Sequence, residues 1–376
     1  MNPINIKAVA RKEFYHLIRD FRSLYLAFFI PLLLILMFGY ALSLDVDNVR
    51  TVVVDYDKTP LSRDLIGKLD ASHYFDIRYL SNSQTASRSL DKGEVTMAVI
   101  IPPGWTADIQ ADREAAIQVL LDGSDPNYAG LSRAYITSFV ESYNSRLLED
   151  FLARHGMDTI RPPVDGRIRV WFNEDLESRR FIVPGIIAII IMIVGVVLTS
   201  LVIAREYENG TMETIRSLPI SSREFLIGKA IPYFFIGLID VLVAVFMGQI
   251  LFDVVMKASF WLMVLASTIY LGVALSLGLL ISIMTKVQLA ANQVAILVSF
   301  LPSMLLSDFV FPIGNMPRIL QLITYIVPAR YYIDILNGLY LRNVGFSYLW
   351  PSFLILAIMF LFVSNMAFLR LSKEGL

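Results

Sequence analysis

The chain has 376 residues, of which 56% are hydrophobic and 17% charged, and its formal net charge is −1. A soluble protein of this length does not need so much apolar surface, so the composition predicts a polytopic α-helical membrane protein. The near-zero charge gives no reason to expect a nucleic-acid partner. No cysteine is present, and the three isolated histidines, His16, His73 and His155, lack the spacing of metal ligands. We therefore expect no disulfide and no metal site.

Residues 1–22 are predicted to form an amphipathic helix at the membrane interface. Basic side chains lie on one face, and the other face carries apolar residues, namely Ile4, Ala8, Phe14, Leu17, Ile18 and Phe21. Such a helix can lie in the interface, pack on its own protein, or do both. The apolar run that follows predicts transmembrane helix 1 over residues 23–44. It is longer than the roughly 7–15 residues of a signal-peptide core, which favours an uncleaved signal anchor.

Residues 45–180 are predicted to form an α/β domain inserted after the first span. Short β-type runs alternate there with helical patterns, which predicts a sheet of largely parallel strands. The predicted strands cover residues 51–55, 75–80, 96–101, 117–122 and 168–172, and the predicted helices cover residues 60–71, 83–92, 104–113 and 126–154. Acids at the strand ends are more typical of turns than of a catalytic set, because no partner histidine, serine motif or metal-ligand spacing accompanies them. They are Asp55, Asp57, Asp122 and Asp125.

Residues 181–376 are predicted to supply transmembrane helices 2–6. Each apolar segment is long enough to cross a hydrocarbon core of about 30 Å. The predicted spans are residues 181–203, 230–252, 260–284, 289–311 and 350–369. Between the last two spans, residues 312–349 carry two apolar helical pieces, 317–327 and 330–341, that are too short to cross. We expect these pieces to be re-entrant or interfacial helices on the outer side.

The short flanks of the spans differ strongly in their content of basic residues. Twelve Lys and Arg lie on the side that holds both termini and residues 204–229, against four on the other side. The positive-inside rule then predicts that both termini are cytoplasmic. Residues 45–180 are left out of this count because long loops translocate largely regardless of charge, and the topology places them outside.

The charged loop 204–229 is predicted to hold a short helix between spans 2 and 3. Gly210 can end the span-2 helix in a left-handed conformation, and Thr211 can cap the short helix that follows. Ser221 and Glu224 match the capping-box pattern that starts the next helix. The loop therefore presents a short helix held firmly at both ends.

Six residues of this loop follow the second span at close spacing, and they are Arg205, Glu206, Glu208, Gly210, Thr211 and Glu213. This motif resembles the cytoplasmic motif of type-2 ABC exporter permeases, and the order of segments resembles the subgroup with a large extracytoplasmic domain between the first two spans. The resemblance implies a coupling helix that docks in a cleft of a separate ABC ATPase. Its acids Glu206, Glu208 and Glu213 would offer charge to basic residues of that partner. The alternative is that these acids only solvate a cytoplasmic turn.

The resemblance also implies a location and partners. It implies a protein of the bacterial inner membrane that works with two ATPase copies and with a second permease, identical or homologous. Membrane lipid and an extracytoplasmic adaptor protein are further expected partners. The cargo would be amphiphilic, drug-like or lipid-like, and would be exported from the cytoplasm or the inner membrane.

The chain shows no nucleotide-binding motif of its own. The pattern GxxxxGK[ST] does not occur, and Gly228-Lys229-Ala230 lacks the rest of such a loop. ATP and Mg are therefore expected on the partner ATPase. This chain is expected to be neither an enzyme nor the holder of a cofactor.

Polar groups within spans are costly and often functional, and four of those in the predicted spans are candidates. Asp240 lies near the middle of the third span, and Asn292 and Gln293 lie in the inner part of the fifth. Asp308 lies near the outer end of the fifth span. We expect them to be candidates for the transport path. For Asp240, pairing across a permease dimer and a protonated carboxyl are the alternatives.

Two functions of other classes fit parts of the sequence. A membrane receptor could use residues 45–180 as a sensor, but the predicted cytoplasmic segments are too short for an output domain. An ion-coupled antiporter could use Asp240 and Asp308, but it predicts inverted internal repeats, and the sequence shows none. An ABC exporter permease is therefore the leading hypothesis.

Overall fold

The structure is a computed structural model, and it describes residues 2–20, 25, 28–29, 31–37, 48–111, 113–154 and 179–375. The chain divides into two units, of which the first comprises Met1–Ser43 with Val170–Leu376 and the second comprises Leu44–Arg169. Most of predicted transmembrane helix 1 and all of the predicted strand 168–172 lie outside the described residues.

The first helix of the chain, α1 (Pro3–Arg19), packs on its own protein. Its buried residues lie about one turn apart and are Val9, Glu13 and Leu17. Gly228 allows the close approach of this face, because a Cβ there would lie 2.6 Å from the Cβ of Val9. Among the described residues of the predicted apolar face, only Leu17 is buried, and Ile4 remains 73% exposed.

The second unit is built on a four-stranded sheet with the strand order β2-β1-β3-β4. Its strands are β1 (Val49–Asp55), β2 (Phe75–Tyr79), β3 (Met97–Ile101) and β4 (Gln118–Leu121). β1 runs parallel to β2 and to β3, whereas β4 is antiparallel to β3. These four strands confirm the corresponding strand predictions to within two residues at each end.

Helices cover both faces of this sheet. They are α2 (Pro60–Asp70), α3 (Ser83–Asp91), α4 (Trp105–Gln110) and α5 (Pro126–Arg154). Side chains alternate along a strand, so Val49 and Val53 join the core under α2, α4 and α5, while Val52 and Val54 join the core under α3. Burial on both faces explains why β1 and β3 are nearly continuous apolar runs.

The strand-end acids accept hydrogen bonds from their own turns. Asp55 Oδ1 accepts from the backbone N–H of Asp57 at 3.0 Å and from that of Lys58 at 2.9 Å. Asp122 Oδ1 accepts from the backbone N–H of Ser124 at 2.9 Å. Within the described residues, no group of three or more His, Cys, Asp or Glu could hold a metal ion. These contacts support the turn interpretation of the acids.

The second part of the first unit contains the long apolar helices. In chain order its α-helices are α6 (Arg179–Glu208), α7 (Thr211–Arg216), α8 (Ser222–Phe252), α9 (Phe260–Thr285), α10 (Gln288–Leu305), α11 (Arg318–Thr324), α12 (Pro328–Asn337) and α13 (Phe346–Lys373). Five helices of the described chain, α6, α8, α9, α10 and α13, are long and apolar enough to cross a membrane. They correspond to predicted spans 2–6.

Helix α6 packs against α8, α9 and α10 and is buried along most of its length. Small residues permit a close crossing with α9, since a Cβ on Gly278 would clash with the carbonyl oxygen of Val196. The Thr199 hydroxyl donates to the carbonyl oxygen of Leu275 at 3.1 Å across the same crossing. Small residues and hydroxyl hydrogen bonds are typical of helices that associate within a bilayer.

Between α10 and α13 the chain forms two short helices that meet at 80°. α11 exposes apolar side chains, whereas α12 is inserted among α6, α9 and α13. The Tyr332 ring of α12 stacks on Tyr270 with ring centroids 4.2 Å apart, and its hydroxyl lies 2.7 Å from that of Ser267. A π-helical turn, Gly338–Arg342, continues α12. Both short helices match the predicted apolar pieces of this segment.

Candidate functional site

The loop between α6 and α8 holds a short helix, α7, just after a glycine turn. α6 ends at Glu208, and Gly210 adopts a φ of 69° as the N-cap of α7. This left-handed conformation favours glycine, which has no Cβ. Thr211 was expected to cap α7, and that expectation is wrong because Gly210 occupies the cap position. The Thr211 hydroxyl donates instead to the carboxylate of Glu206.

The α8 end of the loop is closed by a reciprocal cap. The Ser221 hydroxyl accepts from the backbone N–H of Glu224 at 3.4 Å, and the Glu224 carboxylate accepts from that of Ser221 at 3.2 Å. The predicted capping box is confirmed. The same carboxylate accepts from the Asn5 side chain at 2.9 Å, so α1 is attached at this point as well. Both ends of α7 are therefore fixed.

Helix α7 buries one side and exposes the other. Met212 and Ile215 are buried in the core of the first unit. Glu213, Thr214 and Ser217 are exposed. The helix thus presents a polar face on two apolar anchors, and the carboxylate of Glu213 is accessible to a partner.

A buried group of charges adjoins α7 through Glu206. The Lys229 side chain is 2% exposed, and its ammonium lies 2.5 Å from Glu13 Oε2 and 2.6 Å from Glu206 Oε1. The Lys12 ammonium lies 2.9 Å from the same oxygen of Glu206. The Tyr233 hydroxyl donates to Glu13 Oε1 at 3.0 Å. We call these five residues the Lys229 cluster.

The Lys229 cluster joins three helices, since its members come from α1, α6 and α8. Each buried charge costs several kcal/mol of desolvation, which is offset only where the ion pairs and hydrogen bonds are well made. Here two cations balance two carboxylates. The cluster therefore holds α1, α6 and α8 in one arrangement, and the loss of any buried member would leave a charge without its partner.

The expectation that Glu206 offers its charge to a partner stays a prediction, and the structure shows a second use of that charge. Its carboxylate is already paired with Lys229 and Lys12 inside the chain. Glu208 accepts from the backbone N–H of Gln288 at 2.9 Å and from its side chain, so it satisfies the first turn of α10. Of the three loop acids, Glu213 thus has the side chain most available to another protein.

The first residue of the motif also makes an internal contact. The Arg205 guanidinium lies 3.0 Å from the carboxylate of Asp20, just beyond α1. Its Nη1 lies 3.1 Å from His16 Nδ1. Arg205 therefore fastens the end of α1 to α6, and its charge is used within the chain.

The carboxyl-terminal tail reaches the same region. Glu374 accepts a hydrogen bond from the Tyr207 hydroxyl, and its carboxylate lies 3.0 Å from the Lys286 ammonium. Burial acts to raise the pKa of Glu374, but the hydrogen bonds from Tyr207 and Lys286 and the nearby cations hold it below its usual value. The end of α13, the end of α9 and the α7 loop are thus connected.

Sequence reasoning missed Glu13 and Lys229 as site residues. Lys229 entered only the count of cations that sets topology and the search for a nucleotide-binding loop, and Glu13 was not singled out within the predicted amphipathic helix. A signal did exist, because Lys229 lies beyond the first turn of a long and mostly apolar helix. An unpaired cation at such a position is costly, which predicts a nearby acid.

The four transport-path candidates do not form one cluster. Asp240 is 5% exposed, and neither of its carboxylate oxygens has a hydrogen-bond partner within the described residues. Asn292 and Gln293 lie in the first two turns of α10 and are half-buried and exposed, respectively. Asp308 lies beyond the other end of α10 and was wrongly expected within it, because the helix ends at Leu305.

The exposed Asp308 forms a turn outside the helix. It adopts a φ of 70°, and its Oδ1 accepts from the backbone N–H of Ile313 at 2.7 Å. This contact accounts for the acid as a turn residue. Of the four transport-path candidates, Asp240 is therefore the one that is buried without a hydrogen-bond partner within the described residues.

A bundle of long apolar helices, with a short helix fixed between two of them, defines a polytopic membrane protein. Residues 21–369 match the family described as ABC-2 family transporter protein. The chain therefore belongs to the ABC-2 family of transporter permeases. Members of this family are transmembrane subunits of ABC transporters and work with an ABC ATPase subunit.

Curated relatives cover almost the whole chain. It is 34% identical over 377 residues to the probable multidrug ABC transporter permease YbhS of Escherichia coli, covering 99% of this chain and 97% of that protein. It is 28% identical over 343 residues to the probable multidrug ABC transporter permease YbhR of the same organism, covering 91% of each. It is 27% identical over 310 residues to the E. coli inner membrane transport permease YhhJ, covering 81% of this chain and 80% of that protein.

Proposed function

We propose that this chain is the permease subunit of an ATP-driven exporter of amphiphilic small molecules in a bacterial inner membrane, and that the ATPase acts on α7. The observation that carries the proposal is the construction of α7. Its exposed polar face is held by two buried anchors, Met212 and Ile215, and both of its ends are fixed. The names of the relatives, two multidrug permeases and an inner membrane permease, support the cargo class and the location.

The contacts around the loop support one orientation. α1, the α7 loop and the residues after α13 contact one another through the Lys229 cluster and through Glu374. Segments in contact at the ends of spans lie on the same side of a membrane. Together with the excess of basic residues on that side, this supports cytoplasmic termini and an extracytoplasmic 45–180 domain.

Force from the ATPase would pass through α7 to the spans. The Thr211 hydroxyl is bonded to Glu206, and Glu206 is bonded to Lys229 on α8. Glu208 connects the same segment to the start of α10 through Gln288. A displacement of α7 therefore moves the end of α6 together with α8 and α10. ATP and Mg would be bound by the ATPase, so the role of this chain is to convert the ATPase movement into a movement of spans.

The complete exporter would contain two permeases and two ATPase subunits. α10 supports this arrangement, because it buries a stripe of small residues and exposes apolar side chains on its other face. The buried residues are Ala291, Ala295, Ser299 and Ser303. A second permease, identical or homologous, would complete the path for the cargo. The 45–180 domain would contact that permease or an extracytoplasmic adaptor protein.

A charge reversal on α7 tests the coupling role. Glu213→Lys places a cation at the face proposed to meet basic residues of the ATPase, where like charges cost several kcal/mol. We expect the variant to reach the membrane in normal amount and to lose ATPase co-purification or cargo-stimulated ATP hydrolysis. Glu141→Lys makes the same change on the exposed surface of α5 and should leave both unchanged. Normal ATPase association and export by Glu213→Lys would refute the role of α7.

Cysteine labelling tests the orientation, because the natural chain has no cysteine. Ser87 on α3 and Ser217 after α7 are both exposed. A cysteine at position 87 should react with an impermeant thiol reagent before the inner membrane is broken. A cysteine at position 217 should react only afterwards. The opposite order would overturn the proposed topology.

A further inference from the structure

A groove of about 400 Å³ lies between α8, α9 and α13. One wall of the groove is apolar and includes Leu279 of α9 and Phe360 and Leu361 of α13. Phe360 packs over Gly272, where a Cβ would lie 2.9 Å from its ring. The groove does not include any residue of α7 or of the Lys229 cluster, so it is separate from the proposed coupling site.

A cation without an acid partner stands at one end of this groove. Arg223 is exposed, and its guanidinium lies over the Phe368 ring at 4.4 Å from the ring centroid. Within the described residues it has no ion pair or hydrogen bond. Arg205, Lys229 and Lys286 in the same region of the first unit are each paired with a carboxylate. The planar guanidinium of Arg223 thus keeps its donors available for the oxygens of an anion such as a phosphate.

The polarity of the groove changes along α13. Asn365 lies three residues before Phe368, which corresponds to about 4.5 Å along the helix axis. Its amide is exposed on a helix long enough to cross a membrane, where an amide without a partner is costly. Leu361 lies one further turn along, in the apolar part of the groove. The groove therefore offers, in order, a cation, an amide and an apolar surface.

We propose that this groove binds one anionic phospholipid of the surrounding membrane. The phosphate lies against Arg223, Asn365 donates to an ester oxygen of the glycerol backbone, and one acyl chain lies along Leu279 and Leu361. Charge complementarity selects an anionic headgroup, since within the described residues no carboxylate competes for Arg223. Arg223 is the second residue of α8, at the membrane end that the proposed orientation makes cytoplasmic.

Native mass spectrometry of the detergent-purified full chain tests this proposal. Phosphatidylglycerol and phosphatidylcholine with identical acyl chains are the probes. We expect one phosphatidylglycerol per chain at low lipid concentration, and roughly tenfold weaker binding after Arg223→Gln, as loss of a hydrogen bond to a charged group implies. Arg370→Gln, near the end of α13, removes a cation that does not line the groove and serves as the matched control. It should bind phosphatidylglycerol like the natural chain.

A variant that fills the groove separates this site from a general attraction to basic residues. Ala230→Trp places an indole among the lining residues and should abolish the single tight phosphatidylglycerol while leaving weak, non-saturating binding. Asn365→Ala is a milder change on an exposed position and should weaken binding by a few fold. A melting temperature within a few degrees of the natural chain shows that each variant is folded.

Three results would overturn the proposal. They are equal binding of the two lipids, equal binding by the natural chain and Arg223→Gln, and unchanged tight binding in Ala230→Trp. A further result would be that the bound molecule is displaced by a drug-like amphiphile but not by added phosphatidylglycerol. That result would assign the groove to cargo and would also refute a resident lipid. The measurement needs neither the ATPase nor an oriented membrane, so its failure is distinguishable from failure of the proposed coupling function.

Discussion

Two of the ionisable side chains that helix α8 buries, Lys229 and Asp240, have opposite surroundings. Lys229 is 2% exposed and is paired with two carboxylates from two other helices. Asp240 is 5% exposed, and within the described residues neither of its oxygens accepts or donates a hydrogen bond. The charge of Lys229 is therefore balanced within the chain. The carboxyl group of Asp240 requires a partner that the described residues do not supply.

The difference teaches what each position is able to do. A buried charge is stable only when it is paired and hydrogen-bonded. The Lys229 cluster meets that condition and can transmit a displacement between helices without changing its charges. An ionised carboxylate at Asp240 does not meet it, so this acid must be neutralised by a proton or completed by a second permease or by cargo. Lys229 is thus expected to act in coupling, and Asp240 in transport or assembly.

The largest expected effect tests the paired site. Lys229→Met leaves Glu13 and Glu206 with only Lys12 to balance them, and breaking a buried ion pair costs about 3–5 kcal/mol. We expect this loss in the free energy of unfolding of the detergent-purified chain. Lys12→Met is the matched control, because the Lys12 side chain is 52% exposed and an exposed pair contributes about 1 kcal/mol or less.

A second substitution shows whether charge imbalance causes that loss. Lys229→Met combined with Glu13→Gln should be less destabilising than the sum of the single changes, because the double variant buries one charge fewer. Additive losses would mean that packing around Lys229, and not its charge, stabilises the junction of α1, α6 and α8.

The next prediction distinguishes two features that could position α7, the Lys229 cluster and the backbone turn that precedes the helix. Gly210→Val forces a β-branched residue into a left-handed φ, which costs about 1–2 kcal/mol, although no atom lies within 4 Å of the added Cβ. We expect α7 to shift and ATPase co-purification to fall. Gly314→Val also meets no atom within 4 Å and has no positive φ, so it should leave co-purification unchanged. Equal behaviour of the two variants would show that the Lys229 cluster alone positions α7.

A smaller effect is expected at the partly exposed acid of the tail. Because the folded-state pKa of Glu374 is held below its usual 4.5, its contribution to stability is present above about pH 4.5 and is lost as the pH falls through the folded value. Glu374→Gln should lower the free energy of unfolding by about 1 kcal/mol or less near pH 7. The difference from the natural chain should shrink as the pH falls below 4.5. A difference that is independent of pH would assign the effect to packing.

The smallest effect on stability is expected at the unpaired acid. Asp240→Asn removes a carboxyl group that has no partner within the described residues, so the free energy of unfolding should stay within about 0.5 kcal/mol or rise. Transport or permease assembly should nevertheless change more than in Asp253→Asn, at the exposed end of α8. Equal export by the two variants would reduce Asp240 to a neutral acid that the fold tolerates. A stability loss as large as that of Lys229→Met would show that Asp240 has a partner, and the contrast between Asp240 and Lys229 would then not hold.

Local patterns were sufficient for much of the fold and for the position of the coupling loop. Apolar runs located five spans that match α6, α8, α9, α10 and α13, because the hydrocarbon core imposes a minimum length on any helix that crosses it. The capping box at Ser221 and the turn at Gly210 depend on a few adjacent residues, and the sequence shows them directly. Expectations failed by a few residues at helix ends, as at Asp308, where a turn replaced the last predicted turn of α10.

By itself, the amino-acid sequence determined the membrane class, the positions of five spans and four strands within the described residues, and the motif that carries the family resemblance, since each follows from composition or from neighbours along the chain. Only the tertiary structure decided which charges are available. Glu206 and Glu213 are seven residues apart in one motif, yet one is buried in an ion pair and the other is exposed. That outcome depends on Glu13 and Lys229, which are 216 residues apart and meet because α1 packs on α8. Burial and pairing are properties of helices in contact, so a local pattern could indicate that Lys229 needs an acid but could not assign which acid.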